Sequence, residues 1–307
     1  MENLLVNKVA AVKEVRQTTE YQKKKQACIL TGLAGSSKPV FFAAADKLLG
    51  GKGSMAFITA SREEIRTYRR ELNYLYPDLP MQELYPVSLP RVQADTQSLE
   101  LQAGRAAALR FLSGEERGIV FVTAEALQQK QLRPSGMSGK ALQLAVGEEH
   151  EQRNIAAALL DLGYERTEQV DALGQFCLRG DILDVYPINS SAAVRIEWFD
   201  NELDAMRSFD VDTQRSLQTL TSIKIAPLKV DESFSYDADI FEYCAADTMV
   251  VVDEPVHVFS MLEKLDKENK EHASELFGKQ ELIEQLAANG AVLVSALGHS
   301  YLQQLPS

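Results

Sequence analysis

Ala27-Cys28-Ile29-Leu30-Thr31-Gly32-Leu33-Ala34-Gly35-Ser36-Ser37-Lys38-Pro39-Val40-Phe41-Phe42 is the stretch on which the reading of this chain turns. An apolar run from Ala27 to Leu30 opens into a Gly/Ser loop with one lysine, and a second apolar segment runs from Val40 to Leu49. That is the strand-loop-helix setting of a phosphate-binding loop, in which backbone N–H groups at a helix N-terminus cradle an anion. Two positions depart from the chemistry. Ser37 puts a Cβ where the backbone has to approach phosphate closely, and Pro39 stands where a Ser or Thr would bring the hydroxyl that ligates Mg²⁺. Pro39 also lacks an N–H, while its fixed φ suits the first turn of a helix. Gly32, Gly35, Ser37, Lys38 and Pro39 therefore read as a degenerate nucleotide site, with no cofactor expected. Taken alone, the stretch reads equally well as an ordinary Gly/Ser turn between a strand and a helix.

Outward from the loop, strand and helix alternate. Met55 to Thr59 is apolar, Ser61-Arg62-Glu63-Glu64 supplies a capping box for a helix reaching about Leu75, and Tyr76-Pro77-Asp78 closes it. A helix from about Thr96 to Leu112 leads to a strand at Ile119 to Thr123, and Ala124 to Gln129 begins another helix. The βαβ pattern implies a parallel sheet covered by helices. Turn residues crowd into the stretch from Pro134 to Gly139 and mark a boundary. Beyond it come a strand at Leu142 to Val146 and one helix, about Glu149 to Leu162. Short alternating runs then follow at Arg166 to Val170, Gln175 to Arg179, Ile182 to Tyr186, Val194 to Phe199 and Asp204 to Phe209. One helix with consecutive short strands predicts a small α+β domain with a largely antiparallel sheet. The last part returns to α/β, with a buried-strand run at Thr248 to Val252, helices at Val256 to Lys270 and Gln280 to Ala288, and an apolar run at Ala291 to Ala296. The expected division is 1–140, first part of an α/β core; 141–226, an inserted α+β domain; and 227–307, the second part of the core.

Size and charge bound the function. A chain of 307 residues is expected to fold as two or three domains. Its three cysteines, Cys28, Cys177 and Cys244, share no metal-ligand spacing, as expected of a reduced cytoplasmic protein with no membrane partner. A net charge of −12 disfavours nucleic-acid binding by bulk electrostatics. The distribution is uneven: 20 basic and 14 acidic residues over 1–140, 7 and 15 over 141–226, 5 and 15 over 227–307. Any weak DNA contact therefore belongs to the first part. Lys23-Lys24-Lys25 is its candidate, although such runs are usually solvated helix faces.

Val250-Val251-Val252-Asp253-Glu254-Pro255 is the partner of the loop. An apolar strand ending in adjacent carboxylates is how nucleotide motors hold Mg²⁺ and a hydrolytic water. Asp253 and Glu254 alone would be a common turn and helix start; with the upstream loop they read as the second relic of a helicase-like core.

The middle of the chain carries a longer signature. Gly174-Gln175-Phe176-Cys177-Leu178-Arg179-Gly180-Asp181-Ile182-Leu183-Asp184-Val185-Tyr186-Pro187 continues to Val194-Arg195-Ile196-Glu197-Trp198-Phe199-Asp200 and then to Arg207-Ser208-Phe209-Asp210-Val211-Asp212-Thr213-Gln214-Arg215-Ser216. It resembles the signature shared by the excision-repair protein UvrB and the N-terminal module of bacterial transcription-repair coupling factors. The likeness covers the whole chain in order: degenerate loop, inserted domain, acidic motif. UvrB has an intact Gly-Lys-Thr loop and a tyrosine-rich hairpin, whereas this chain has Ser37-Lys38-Pro39 and a stretch from Leu84 to Leu101 with one tyrosine, Tyr85. The departures favour the coupling-factor family.

That resemblance implies a module that recruits UvrA through the positions matching Arg179, Arg195 and Phe199. It also implies that RNA polymerase and DNA are engaged by further domains of a longer, ATP-dependent DNA translocase. The residues agree independently. A period of two puts Val194, Ile196 and Trp198 on one strand face and Arg195, Glu197 and Phe199 on the other; likewise Phe176 and Leu178 oppose Gln175, Cys177 and Arg179. Arginines with an aromatic on polar faces have the composition of a protein-binding hot spot. From pattern alone, Arg195 pairing with a neighbouring carboxylate and Phe199 capping the core edge are the plainer alternatives. Three functions remain open at this point: a non-catalytic adaptor, a UvrB-like or helicase-type ATPase acting on damaged DNA, and a structural module that masks sites in the intact protein.

Overall fold

The structure is a computed structural model, and it describes residues 4–48, 54–89, 99–134, 141–228 and 236–297. Helices α1 (Leu4–Ala10) and α2 (Lys13–Lys23) precede β1 (Cys28–Thr31), α3 (Ser37–Leu48), β2 (Met55–Thr59), α4 (Arg62–Leu75) and β3 (Met81–Leu84). Next come α5 (Leu99–Leu112), β4 (Ile119–Thr123), α6 (Ala124–Gln128), β5 (Gln131–Leu132), β6 (Leu142–Ala145), α7 (Gln152–Asp161), β7 (Glu165–Arg166), β8 (Gln175–Arg179) and β9 (Ile182–Val185). The chain ends with β10 (Ala193–Phe199), β11 (Glu202–Phe209), β12 (Ser216–Leu220), β13 (Ser222–Ile225), β14 (Tyr236–Ala238), β15 (Met249–Asp253), α8 (Pro255–Glu268), α9 (Lys279–Ala288) and β16 (Val292–Ser295). The chain divides into two compact units. One holds residues 1–96, 108–131 and 237–307; the other holds 97–107 and 132–236.

The first unit is α/β, built on a six-stranded sheet in the order β1-β16-β15-β2-β4-β3. Every recorded pairing in it is parallel. Both faces are covered, so β2, β4, β15 and β16 are buried at every position and their sequences are unbroken apolar runs. Alternation sorts those residues into two cores. Phe57, Phe121 and Val251 join Phe41, Phe42, Ile65 and Leu72 on one side; Ile58, Val122 and Val252 join Leu127, Leu262 and Leu286 on the other. Helix α4 begins as predicted, with the Ser61 N–H donating to Glu64 Oε2 at 3.0 Å in a capping box.

The second unit holds a six-stranded sheet in the order β12-β11-β10-β9-β8-β7, antiparallel except for the parallel β7–β8 pair. Its inner face packs Phe176, Leu183, Val185, Val194, Ile196, Trp198 and Met206 with Ile155 and Leu159 of α7. This is the mixed architecture expected: a parallel α/β core and a separate, largely antiparallel α+β sheet.

Two expectations are corrected, and two strands had none. The predicted strand Arg166 to Val170 is only Glu165–Arg166; Thr167 still donates its N–H to Phe176 O at 2.9 Å, but its Oγ1 bonds the Gln169 carbonyl at 2.9 Å and the ladder ends there. Strands β12 and β13 were unread: β12 is exposed at four of five positions and carries no apolar period. The lysine run is not a helix face, since α2 ends at Lys23 and Lys25 adopts a left-handed φ of 54°. Of the predicted boundary Pro134 to Gly139, residues 135–139 lie outside the described residues, as do residues 90–98 of the stretch compared with the hairpin. Among the described residues, no helix is long and apolar enough to cross a membrane.

Candidate functional site

Two assemblies, one in each unit, contain the residues of the degenerate loop and acidic motif and the three residues Arg179, Arg195 and Phe199. In the first unit the loop after β1 turns through Gly32 (φ 87°) and Gly35 (φ 53°), conformations that favour glycine. Helix α3 starts at Ser37, so Ser37, Lys38 and Pro39 form its first turn. The N–H groups a phosphate would need there are already taken: Ser37 N donates to Ala34 O and Lys38 N to Gly35 O, both at 3.2 Å. Ser37 Oγ also turns back, donating to Ala34 O at 2.8 Å.

Lys38 does not face an open loop. Its ammonium donates to Asp253 Oδ1 at 2.6 Å and to Glu254 Oε1 at 2.7 Å, and its side chain is only 6% exposed. Asp253 closes β15, and Glu254 follows it with a left-handed φ of 41° before Pro255 opens α8. Surrounding bonds hold that strained residue. Ser295 Oγ donates to Glu254 Oε2 at 3.0 Å, and the Ala296 N–H donates to Oε1 at 2.8 Å.

Tyr68 on α4 completes the set, its hydroxyl donating to Asp253 Oδ2 at 2.6 Å. Edge-to-face contacts of its ring with Phe57 and Phe42 fix its approach. Burial and the Asp253 carboxylate push the Tyr68 phenol far above its ordinary range, so it remains a donor. Burial alone would depress Lys38, but the hydrogen bonds to Asp253 and Glu254 outweigh it and hold the ammonium charged. Burial would likewise raise Glu254, yet Lys38 and the Ala296 N–H bring it below the usual carboxylate range. The structure thus gathers Gly32, Gly35, Ser37, Lys38, Pro39, Asp253 and Glu254 at the carboxyl ends of the strands. There the lysine that would hold phosphate is bonded to both carboxylates that would ligate Mg²⁺.

In the second unit the outer face of the antiparallel sheet carries the other three residues. Arg179 ends β8 before the tight turn at Gly180 (φ 57°), and Phe199 ends β10 before a turn at Asp200 (φ 59°). Phe199 is 78% exposed, so it does not cap the core edge. Arg195 is committed internally, donating from Nε to Asp184 Oδ1 at 2.6 Å and from a terminal nitrogen to Oδ2 at 2.8 Å. Its guanidinium also lies 4.7 Å over the Phe209 ring. Arg179 donates to the same Asp184 Oδ2 at 2.9 Å while its side chain stays 52% exposed. Beside them, Arg207 on β11 pairs with Glu197 on β10.

Sequence reasoning missed Tyr68, Asp184 and Gln214. For Asp184 a signal existed: a carboxylate on the polar side of a strand otherwise reading Ile182, Leu183 and Val185. For Tyr68 there was none, since its partner is 185 residues away.

Comparison with known proteins gives two findings. Residues 142–230 match the family described as UvrB interaction domain. Over 203 residues the chain is 36% identical to the transcription-repair-coupling factor of Bacillus subtilis (strain 168), a match covering 66% of this chain and 17% of that protein. It is 32% identical over 202 residues to the protein of the same description from Staphylococcus haemolyticus, covering 65% of this chain and 17% of the relative. Identity to the Escherichia coli (strain K12) protein is 28% over 165 residues, covering 54% and 14%. The chain matches less than a fifth of the length of each of these relatives.

Proposed function

We propose that this chain, which matches the UvrB interaction domain over residues 142–230 and resembles transcription-repair-coupling factors over about two thirds of its length, is a non-catalytic docking module that recruits UvrA to stalled transcription complexes for nucleotide excision repair. RNA polymerase and DNA are engaged by the further domains of the longer protein. The observation that carries the reading is the outer face of the antiparallel sheet. An exposed phenylalanine stands at a tight turn, with arginines on the two strands flanking β9 already fixed by its buried carboxylate. That is the anatomy of an interface hot spot, an aromatic anchor among pre-ordered arginines. Mixing the chain with purified UvrA on a sizing column tests it. Co-elution is the expected result, and separate elution at micromolar concentration contradicts it.

The other unit supports the non-catalytic half of the proposal. With Lys38 bound to Asp253 and Glu254, and with Pro39 lacking both hydroxyl and N–H, a nucleotide would have to break a buried ion pair to enter. Calorimetric titration with ATP and Mg²⁺ is therefore expected to show no saturation in the micromolar range. Ser37→Gly with Pro39→Thr restores the loop's chemistry but not its freedom, and is expected to remain inactive as an ATPase. Mg²⁺-dependent saturation of the parent chain would instead favour a UvrB-like ATPase.

DNA contact is expected to be weak and blind to damage, because the net charge is −12. In mobility-shift titrations, duplex binding should fall steeply between about 50 and about 200 mM salt. Salt-resistant preference for a lesion would mean that the chain inspects DNA itself.

A further inference from the structure

We propose that Asp184, backed by Gln214, is the positioning residue of the docking face: it orders Arg195 and Arg179 in the free chain, so that Arg179 and Phe199 meet the partner while Arg195 locks the carboxylate in place. The inference rests on the docking reading above. Asp184 stands on β9, directly across from Arg195 on β10 and Cys177 on β8, and it is 2% exposed. Both of its carboxylate oxygens are used, one by Arg195 and the other by Arg195 and Arg179 together. The Arg195 pair is bidentate, a geometry that fixes the plane of the guanidinium as well as its place.

The second half of the clamp explains a stretch of the sequence that otherwise has no role. The loop after β11 is tied by Asp210 Oδ1, which accepts from Thr213 N at 2.8 Å and from Thr213 Oγ1 at 2.7 Å. This loop puts Gln214 in a left-handed conformation (φ 58°), with its Nε2 donating to Val211 O at 2.9 Å. The remaining acceptor, Gln214 Oε1, takes a hydrogen bond from Arg195 at 3.0 Å. Arg195 is thus held by a carboxylate, an amide and an aromatic ring, and its side chain is only 17% exposed. Arg179 shares the carboxylate but keeps half its surface free. Long arginine side chains lose rotamer freedom when a partner orders them, and here that loss is incurred on folding.

A double-mutant cycle on UvrA affinity tests the assignment, with nitrogen-15 spectra of the arginine Nε–H groups of the free chain as a readout independent of docking. Asp184→Asn is expected to weaken UvrA binding about tenfold or more. It should multiply with the loss from Phe199→Ala, but add less in an Arg195→Ala background, where only the Arg179 contact of Asp184 remains to be lost. The Nε–H signals of Arg195 and Arg179, distinct in the parent, should collapse toward those of solvated arginines. Gln214→Ala, which leaves the carboxylate in place, should produce a smaller change of the same kind and serves if Asp184→Asn fails to fold. Parent-like affinity of Asp184→Asn, or full multiplication with Arg195→Ala, overturns the proposal while the docking reading stands. If Phe199→Ala and Arg179→Ala both bind like the parent, the docking reading fails instead. Unperturbed arginine signals in Asp184→Asn then refute the clamp separately.

Discussion

Lys38→Met is expected to cost the chain about 3–5 kcal/mol of stability, the range for removing one partner of a buried ion pair and leaving charge behind. The two carboxylates it would abandon are poorly placed to find water: Asp253 is 3% exposed and Glu254 21%. The Tyr68 hydroxyl and the Ala296 N–H donate to them but carry no charge. Urea unfolding at about pH 7 measures the loss as a shift in midpoint at constant slope. Two controls identify its origin. Neutralising the whole set in Lys38→Met/Asp253→Asn/Glu254→Gln should recover most of the stability, because no unpaired charge remains.

The deficit of Lys38→Met should also shrink as pH falls through the carboxylate range, where protonation removes the uncompensated charge. In the parent chain the sign is opposite. Glu254 has a folded pKa below its unfolded value, so its contribution is complete above the ordinary carboxylate pKa and is lost as pH falls through the depressed one. A variant as stable as the parent at neutral pH would show that the ion pair contributes nothing to the fold, and that the loop could be vacated for a ligand at little cost.

Phe199→Ala and Arg179→Ala are expected to weaken UvrA binding by roughly 1–4 kcal/mol each, from about fivefold to about a thousandfold. Phe199 is largely solvent-exposed, so its truncation creates no cavity in the free chain. The loss should therefore fall on the complex alone, with circular dichroism and the unfolding midpoint unchanged. Arg179 is similarly safe, since its removal leaves Asp184 bidentate with Arg195. Arg195→Ala belongs to the same face but is a less clean probe. It leaves the buried Asp184 carboxylate with the half-exposed Arg179 as its one remaining arginine, so lost stability and lost affinity will appear together. Competition binding against the parent chain separates the three variants, and equal competition by all of them would remove this face from the interface.

The parallel core was legible because strands covered on both faces read as continuous apolar runs: Met55 to Thr59, Ile119 to Thr123 and Met249 to Asp253 are each buried throughout. The antiparallel sheet was legible where one face is wet, and the alternation of Val194, Ile196 and Trp198 against Arg195, Glu197 and Phe199 matches the observed burial. A bulge between Glu197 and Trp198 shifts the register with β11 without turning that alternation over. Strand β12 could not be read, because an exposed edge strand has no buried face to impose a period.

The degenerate loop was visible as a chemical misfit at Ser37 and Pro39. What occupies it was not: Lys38 meets Asp253 across 215 residues of sequence, and only the crossing of β1, β16 and β15 in one sheet brings them together. The same holds for the docking face. The arginines and phenylalanine proposed for it stood out by residue type, whereas Asp184, to which both arginines are bonded, is one more acidic side chain among 44.

The most direct test of the account is one calorimetric experiment, in which UvrA is titrated into the parent chain and into Phe199→Ala, with and without ATP and Mg²⁺ added to the chain alone. The account predicts saturable UvrA binding by the parent, a loss of at least about fivefold in the variant, and no heat from nucleotide in either. Saturable nucleotide binding together with UvrA affinity indifferent to Phe199 would contradict it.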